Sequence, residues 1–267
     1  VNTALPFIQV ALKASVLQLQ WIANIFTMIL SMTMIAIGKC ADLWGRKKVF
    51  YIGVFLFGIA AFGAGFSMTV GALVFFRGLQ ALGASTLFVA SAALLSDVFP
   101  EHERVKAISL YGGMTGFGLM VGPFFGGILI GILDWRWVFW VNLPLITVGL
   151  AACSFSLRSH VHEKRVVPMN VFSLLLLILG LGALMYGVIA GAQGNWTSIS
   201  AWIWLGTGVG ALVALIILDP LSSNPLLDLH IFKDNLIVLA ALSCALAGVV
   251  STVFIFFDPL YLRLLRN

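Results

Sequence analysis

The chain has 267 residues, of which 61% are hydrophobic and only 9% charged, and its mean hydropathy is +1.09. Soluble domains carry about a quarter charged residues, so no single globular core can hide this much apolar surface and lipid must act as solvent. The net charge of +5 does not point to nucleic acid, because the bases lie in short links between apolar spans.

A bilayer core takes about 20 apolar residues per helix. By that measure residues 1–12 form a partial span, followed by eight complete or nearly complete ones. These are 17–37, 49–66, 71–99, 105–133, 138–157, 169–192, 201–218 and 236–257. Alternate links hold Lys39, Arg46, Lys47, Lys48, Arg104, Lys106, Arg158, Lys164, Arg165 and Lys233. The opposite links hold only Lys13, Arg136, Arg263 and Arg266. The richer set belongs in the cytosol, so the first span ends outside.

Two cytosolic links are long, 158–168 and 219–235. Within the second, the apolar positions of 226–232 suit a short helix lying on the membrane surface. The uncharged link Gln193-Gly194-Asn195-Trp196 joins the spans of 169–218 into a hairpin. Between the fifth and sixth spans, Asp134-Trp135-Arg136-Trp137 reads as an outer link with aromatic interface anchors. Cys40, Cys153 and Cys244 read as packing residues, with no disulfide indicated. The chain starts at Val1, without an initiator Met and inside an apolar run, so it is expected to be a fragment.

Polar and charged residues at several places are candidates to carry chemistry. In residues 38–50 (GKCADLWGRKKVF), Gly38 lets the second span end and turn, and Asp42 is placed to pair with a base. Arg46, Lys47 and Lys48 stay in the cytosol. Asp97, at the cytosolic end of the fourth span, faces the same bases. Arg77 lies about two turns into the fourth span, where a charge costs about 2.5–3.5 kcal/mol. Either a partner or a wet cavity offsets that cost, or the side chain snorkels to the outer interface. Gln80, three residues on, shares its helix face.

In the fifth span Gly118, Gly122 and Gly126 fall at i, i+4, i+8. They form a smooth stripe for close helix approach in any multispan protein, and Pro123 adds a possible kink. Asp258, before Pro259 at the outer end of the last span, reads as an interfacial acid or a titratable cation or proton site. His102, His160, His162 and His230 fall in links and make no metal site. No G-x-x-x-x-G-K-[ST] loop occurs, and no catalytic cluster sits within the spans. The expectation is therefore a non-enzyme without cofactor or metal.

Three of these stretches resemble the major facilitator superfamily of transporters. Gly38, Asp42, Gly45, Arg46 and Lys47 look like its gating loop between the second and third helices, although Leu43 stands where a base is usual. Gly118, Gly122, Pro123, Gly126 and Gly127 match the antiporter signature G-x-x-x-G-P-x-x-G-G of its drug exporters. Arg77 and Gln80 resemble its fourth-helix signature, in which the arginine is implicated in proton coupling, with Ala81 in place of the usual glycine. Residues 1–6 (VNTALP) resemble the end of the first-helix motif, whose acidic residue would precede Val1.

The resemblance implies an all-α integral membrane fold of the fourteen-helix drug:proton antiporter type. Residues 1–157 would form the N-terminal six-helix bundle, 158–235 a linker and inserted hairpin, and 236–267 the first helix of the second bundle. The implied activity is proton-coupled export of hydrophobic or cationic drugs by a monomer in the bacterial inner (plasma) membrane. Lipid, siderophore or metabolite transport and a non-transporting scaffold are the alternatives. On the reading of the residues themselves, and not on the resemblance, Asp258 would join Arg77 and Gln80 in proton coupling.

Overall fold

The apolar runs form helices whose ends are set by local chemistry. A computed structural model describes residues 1–156, 170–194, 196–222, 224–226 and 233–265, and among them there is no strand. A 3₁₀ turn, Asn2–Ala4, leads into α1 (Leu5–Leu12). Helix α2 (Val16–Trp44) opens on a reciprocal cap: the Gln18 N–H donates to Ser15 Oγ at 3.3 Å and the Ser15 N–H to Gln18 Oε1 at 2.9 Å. It is followed by α3 (Arg46–Gly65), α4 (Val70–Val98) and α5 (Glu101–Ile132). Then come α6 (Trp137–Trp140), α7 (Asn142–Ser156), α8 (Val171–Gln193), α9 (Ile199–Leu218) and α10 (Asn235–Leu265).

Six of these helices are long and apolar enough to cross a membrane, and two further apolar stretches, Trp137–Ala151 and Asn235–Val250, are shorter. The large side chains they expose, such as Phe55, Phe75 and Trp202, suit contact with lipid rather than water.

Three sequence expectations are corrected here. The second span does not end at Gly38: α2 runs on to Trp44, and the turn falls at Gly45, whose φ of +93° is open to glycine and strained for other residues. The sixth span is not one helix. Pro144 has no N–H to give the Trp140 carbonyl, and the Asn142 side chain instead donates to the carbonyls of Val138 and Phe139, at 3.2 and 2.9 Å. The hydrogen-bond ladder is therefore interrupted between α6 and α7, although Val141 keeps a helical backbone. Trp135 is no interface anchor. It is 2% exposed, in a cluster with Ala4, Ile8, Leu73 and Phe139.

The central packing is α4 against α2 and α3. Gly83 permits a close approach to the α3 backbone, since a Cβ there would lie 2.5 Å from the Phe57 nitrogen. Helices α8 and α9 pair as the expected hairpin, and α8 rests on α2. Tyr186 bridges the three, with ring centroids 5.9 Å from Trp21 and 5.0 Å from Trp204. The following link is tied down at two points. Asp219, 1% exposed, accepts the Leu226 N–H at 2.8 Å, and the Lys39 ammonium donates to the Pro225 carbonyl at 3.1 Å. Most of the surface segment expected at 226–232 lies outside the described residues, as do the long link 157–169 and Asn195.

Candidate functional site

Arg77 does not snorkel. It is 6% exposed and faces α2, where its Nε donates to the Ile22 carbonyl at 3.3 Å. Its Nη1 donates to Gln80 Oε1 at 2.8 Å, and the guanidinium stacks 4.3 Å from the centre of the Phe26 ring. The i, i+3 spacing thus brings Arg77 and Gln80 together, with Gln80 also buried. All three partners are neutral, and no carboxylate among the described residues pairs with Arg77. Farther along the same interface the Thr33 and Ser85 hydroxyls lie 2.9 Å apart. The α2–α4 seam therefore buries a fixed positive charge in a narrow polar strip, able to hold an anionic group or to repel a cation.

At the other end of the bundle the expected ion pairs form around Arg46, the first residue of α3. Its Nε and Nη2 donate to Asp42 Oδ1 at 3.3 and 3.1 Å. Its Nη1 donates to Asp97 Oδ1 at 2.7 Å and to the Ala93 carbonyl at 3.1 Å. The side chain of Asp97 is 22% exposed and that of Asp42 61%, so the α3–α4 pair is the better shielded. Turning at Gly45 is what aims Arg46 at both acids. A Cβ on Gly38 would meet only Val89, at an ordinary 3.5 Å. Lys47 sits beside Arg46, half-buried.

Among the described residues no helix lies on the glycine stripe. A Cβ on Gly118, Gly122 or Gly127 would meet nothing within 4 Å, while one on Gly126 would lie 3.2 Å from Thr3 Oγ1. The reason is that α5 packs chiefly on α4, α6 and the first turn of the chain, which leaves the stripe uncovered. The helix continues through Pro123. Asp258 lies within α10, which continues past Pro259 to Leu265 instead of ending near it; its side chain is outside the described set. The three cysteines are free, and Cys244 is exposed rather than packed.

Two participants were missed in the sequence. Phe26, under Arg77, is one of many phenylalanines in apolar runs and has no local signal. Gly83 stands in a run of small residues (ALGAS) that marks close packing, but the run does not say against which helix.

The family model described as Major Facilitator Superfamily matches residues 1–168. The chain belongs to this superfamily. Over 243 residues it is 34% identical to the multidrug resistance protein Stp of Mycobacterium tuberculosis, covering 90% of this chain and 45% of that protein. It is 34% identical over 228 residues to the puromycin resistance protein pur8 of Streptomyces alboniger, covering 85% and 45%. Over 247 residues it is 30% identical to the probable multidrug resistance protein EmrY of Escherichia coli, covering 91% and 48%. The chain thus spans about half the length of these curated relatives. With six helices of membrane length among the described residues and bacterial relatives in this superfamily, it is a multi-pass protein of the bacterial inner (plasma) membrane.

Proposed function

We propose that the chain is part of a secondary transporter that exports hydrophobic or cationic small molecules in exchange for protons, as a monomer and without catalysing a covalent reaction. The observation that carries this reading is the burial of Arg77 with Gln80 in the α2–α4 seam. A buried guanidinium in a membrane helix is expensive and marks ion or substrate pathways. A fixed positive charge favours the ionised form of any carboxylate brought near it and opposes a second cation. A carboxylate carrier that meets Arg77 in one state of the transporter therefore releases its proton there, and it recovers one when the seam rearranges. The resistance names of the relatives support drugs as the substrate class.

Alternating access in such transporters comes from two bundles rocking about a midplane site. In this reading residues 1–157 form one bundle, the α8–α9 hairpin is an insertion, and α10 opens the second bundle. The Asp42–Arg46–Asp97 cluster latches α2, α3 and α4 on the cytosolic side.

The test uses the full-length protein in cells loaded with a fluorescent cation. Arg77→Ala abolishes efflux driven by the proton gradient while expression stays near wild type. Arg77→Lys keeps part of it, because it keeps the positive charge while losing the stacking on Phe26 and the forked donors. Full efflux by Arg77→Ala would overturn the reading.

A further inference from the structure

Helix α3 is packed on α2, α4, α6 and α7, and its remaining face forms a shallow, open groove lined by its own Lys48, Tyr51, Ile52, Phe55, Leu56 and Ile59. Phe55 and Ile59 are 63% and 60% exposed. The groove is graded along the helix. Lys48, the third residue of α3, and Tyr51, one turn deeper, form its polar end, and everything beyond is apolar. No acid lines it. Arg46 is held by Asp42 and Asp97, whereas Lys48 is exposed and makes no ion pair among the described residues.

Length and charge identify what fits. At about 1.5 Å per residue, Lys48 to Ile59 covers about 16 Å, or half of the ~30 Å hydrocarbon core of a bilayer. A second groove of about 500 Å³ begins at the same Ile59 and continues toward the far end of α3, past Phe62 and Phe66, with no charged residue. The two grooves meet where two leaflets would, and only the Lys48 groove offers a cation at headgroup level. Lysines at the cytosolic membrane surface attract anionic headgroups, and an aromatic ring such as Tyr51 prefers that interfacial depth.

We propose that the Lys48 groove binds an anionic phospholipid of the leaflet at the basic end of α3. The headgroup phosphate meets the Lys48 ammonium and the Tyr51 hydroxyl, and one acyl chain lies along Ile52, Phe55 and Ile59.

The test is native mass spectrometry of the full-length protein in mild detergent, with dioleoylphosphatidylglycerol and dioleoylphosphatidylcholine offered at equal concentration. The wild type retains more phosphatidylglycerol. Lys48→Gln lowers that retention about five-fold, the effect of one lysine at an anionic surface, and leaves phosphatidylcholine unchanged. Lys48→Arg keeps the preference, Phe55→Ala lowers retention of both lipids, and Lys13→Gln changes neither. No preference in the wild type, or a preference that survives Lys48→Gln, overturns the proposal. Displacement of the lipid by glycerol 3-phosphate at matched concentration would show a free-anion site instead. Disulfide trapping of Phe55→Cys to a second copy in membranes would show that protein, not lipid, covers this face.

Discussion

Substituting Gly83 by leucine probes the helix packing on which the Arg77 site depends. The first added atom would lie 2.5 Å from the Phe57 nitrogen, 2.7 Å from its Cβ and 2.8 Å from its Cα. Carbon contacts settle at about 3.5–4.0 Å, so α3 and α4 must part by about 1 Å. The obstacle is backbone and cannot rotate aside. Overpacking of this kind costs about 1–3 kcal/mol, and contact with a helix backbone belongs at the upper end. Leucine recovers about 0.8 kcal/mol through its better helix propensity, which leaves a net loss of about 2 kcal/mol. That corresponds to a melting temperature lower by roughly 4–8 °C. The assay is thermal unfolding of the detergent-solubilised protein, followed by loss of the monodisperse peak. Gly71→Leu is the internal control, on the same helix and with nothing within 4 Å. Its melting temperature stays at or slightly above wild type. Equal melting temperatures for Gly83→Leu and Gly71→Leu would refute the α3–α4 packing described here.

Three further outcomes follow from the same geometry. Asp97→Asn loosens Arg46 more than Asp42→Asn does, because an exposed i, i+4 pair contributes only about 0.3–0.5 kcal/mol while a shielded charged hydrogen bond contributes about 1.5–3; tryptic cleavage after Arg46 in inverted vesicles should rise in the first variant and hardly move in the second. Gly122→Leu leaves the thermal stability of the 267-residue chain unchanged, since its Cβ would meet nothing within 4 Å, and a drop as large as that of Gly83→Leu would mean the stripe is covered. Single cysteines at Lys47 and Asp134, in a background without the native three, label from opposite sides of the membrane with an impermeant reagent, and labelling from one side would invert the topology.

The spans were legible because a run of apolar residues long enough to cross a bilayer has few other stable fates. Their ends were less so. Residues 38–50 contain two glycines, and hydropathy does not show that the chain turns at Gly45 rather than Gly38, because the turn depends on φ. The α6–α7 break was hidden for a similar reason: Asn142 and Pro144 sit in a run apolar enough to read as one helix, and their effect on backbone hydrogen bonds is local. For Arg77 the sequence gives depth along the helix but not direction around it; burial follows from where α2 lies, which only tertiary packing decides. The stripe at Gly118, Gly122 and Gly126 shows the reverse case. Its spacing makes close approach feasible, but spacing cannot supply the helix that approaches.

The most direct measurement of the central claim is substrate movement in sealed proteoliposomes containing only the full-length protein, with the proton gradient as the sole driving force. A fluorescent cation should accumulate when an inside-acid gradient is imposed and leak back when nigericin collapses it, and Arg77→Ala should show neither response. Accumulation that ignores the gradient would contradict proton-coupled export, as would accumulation that needs ATP.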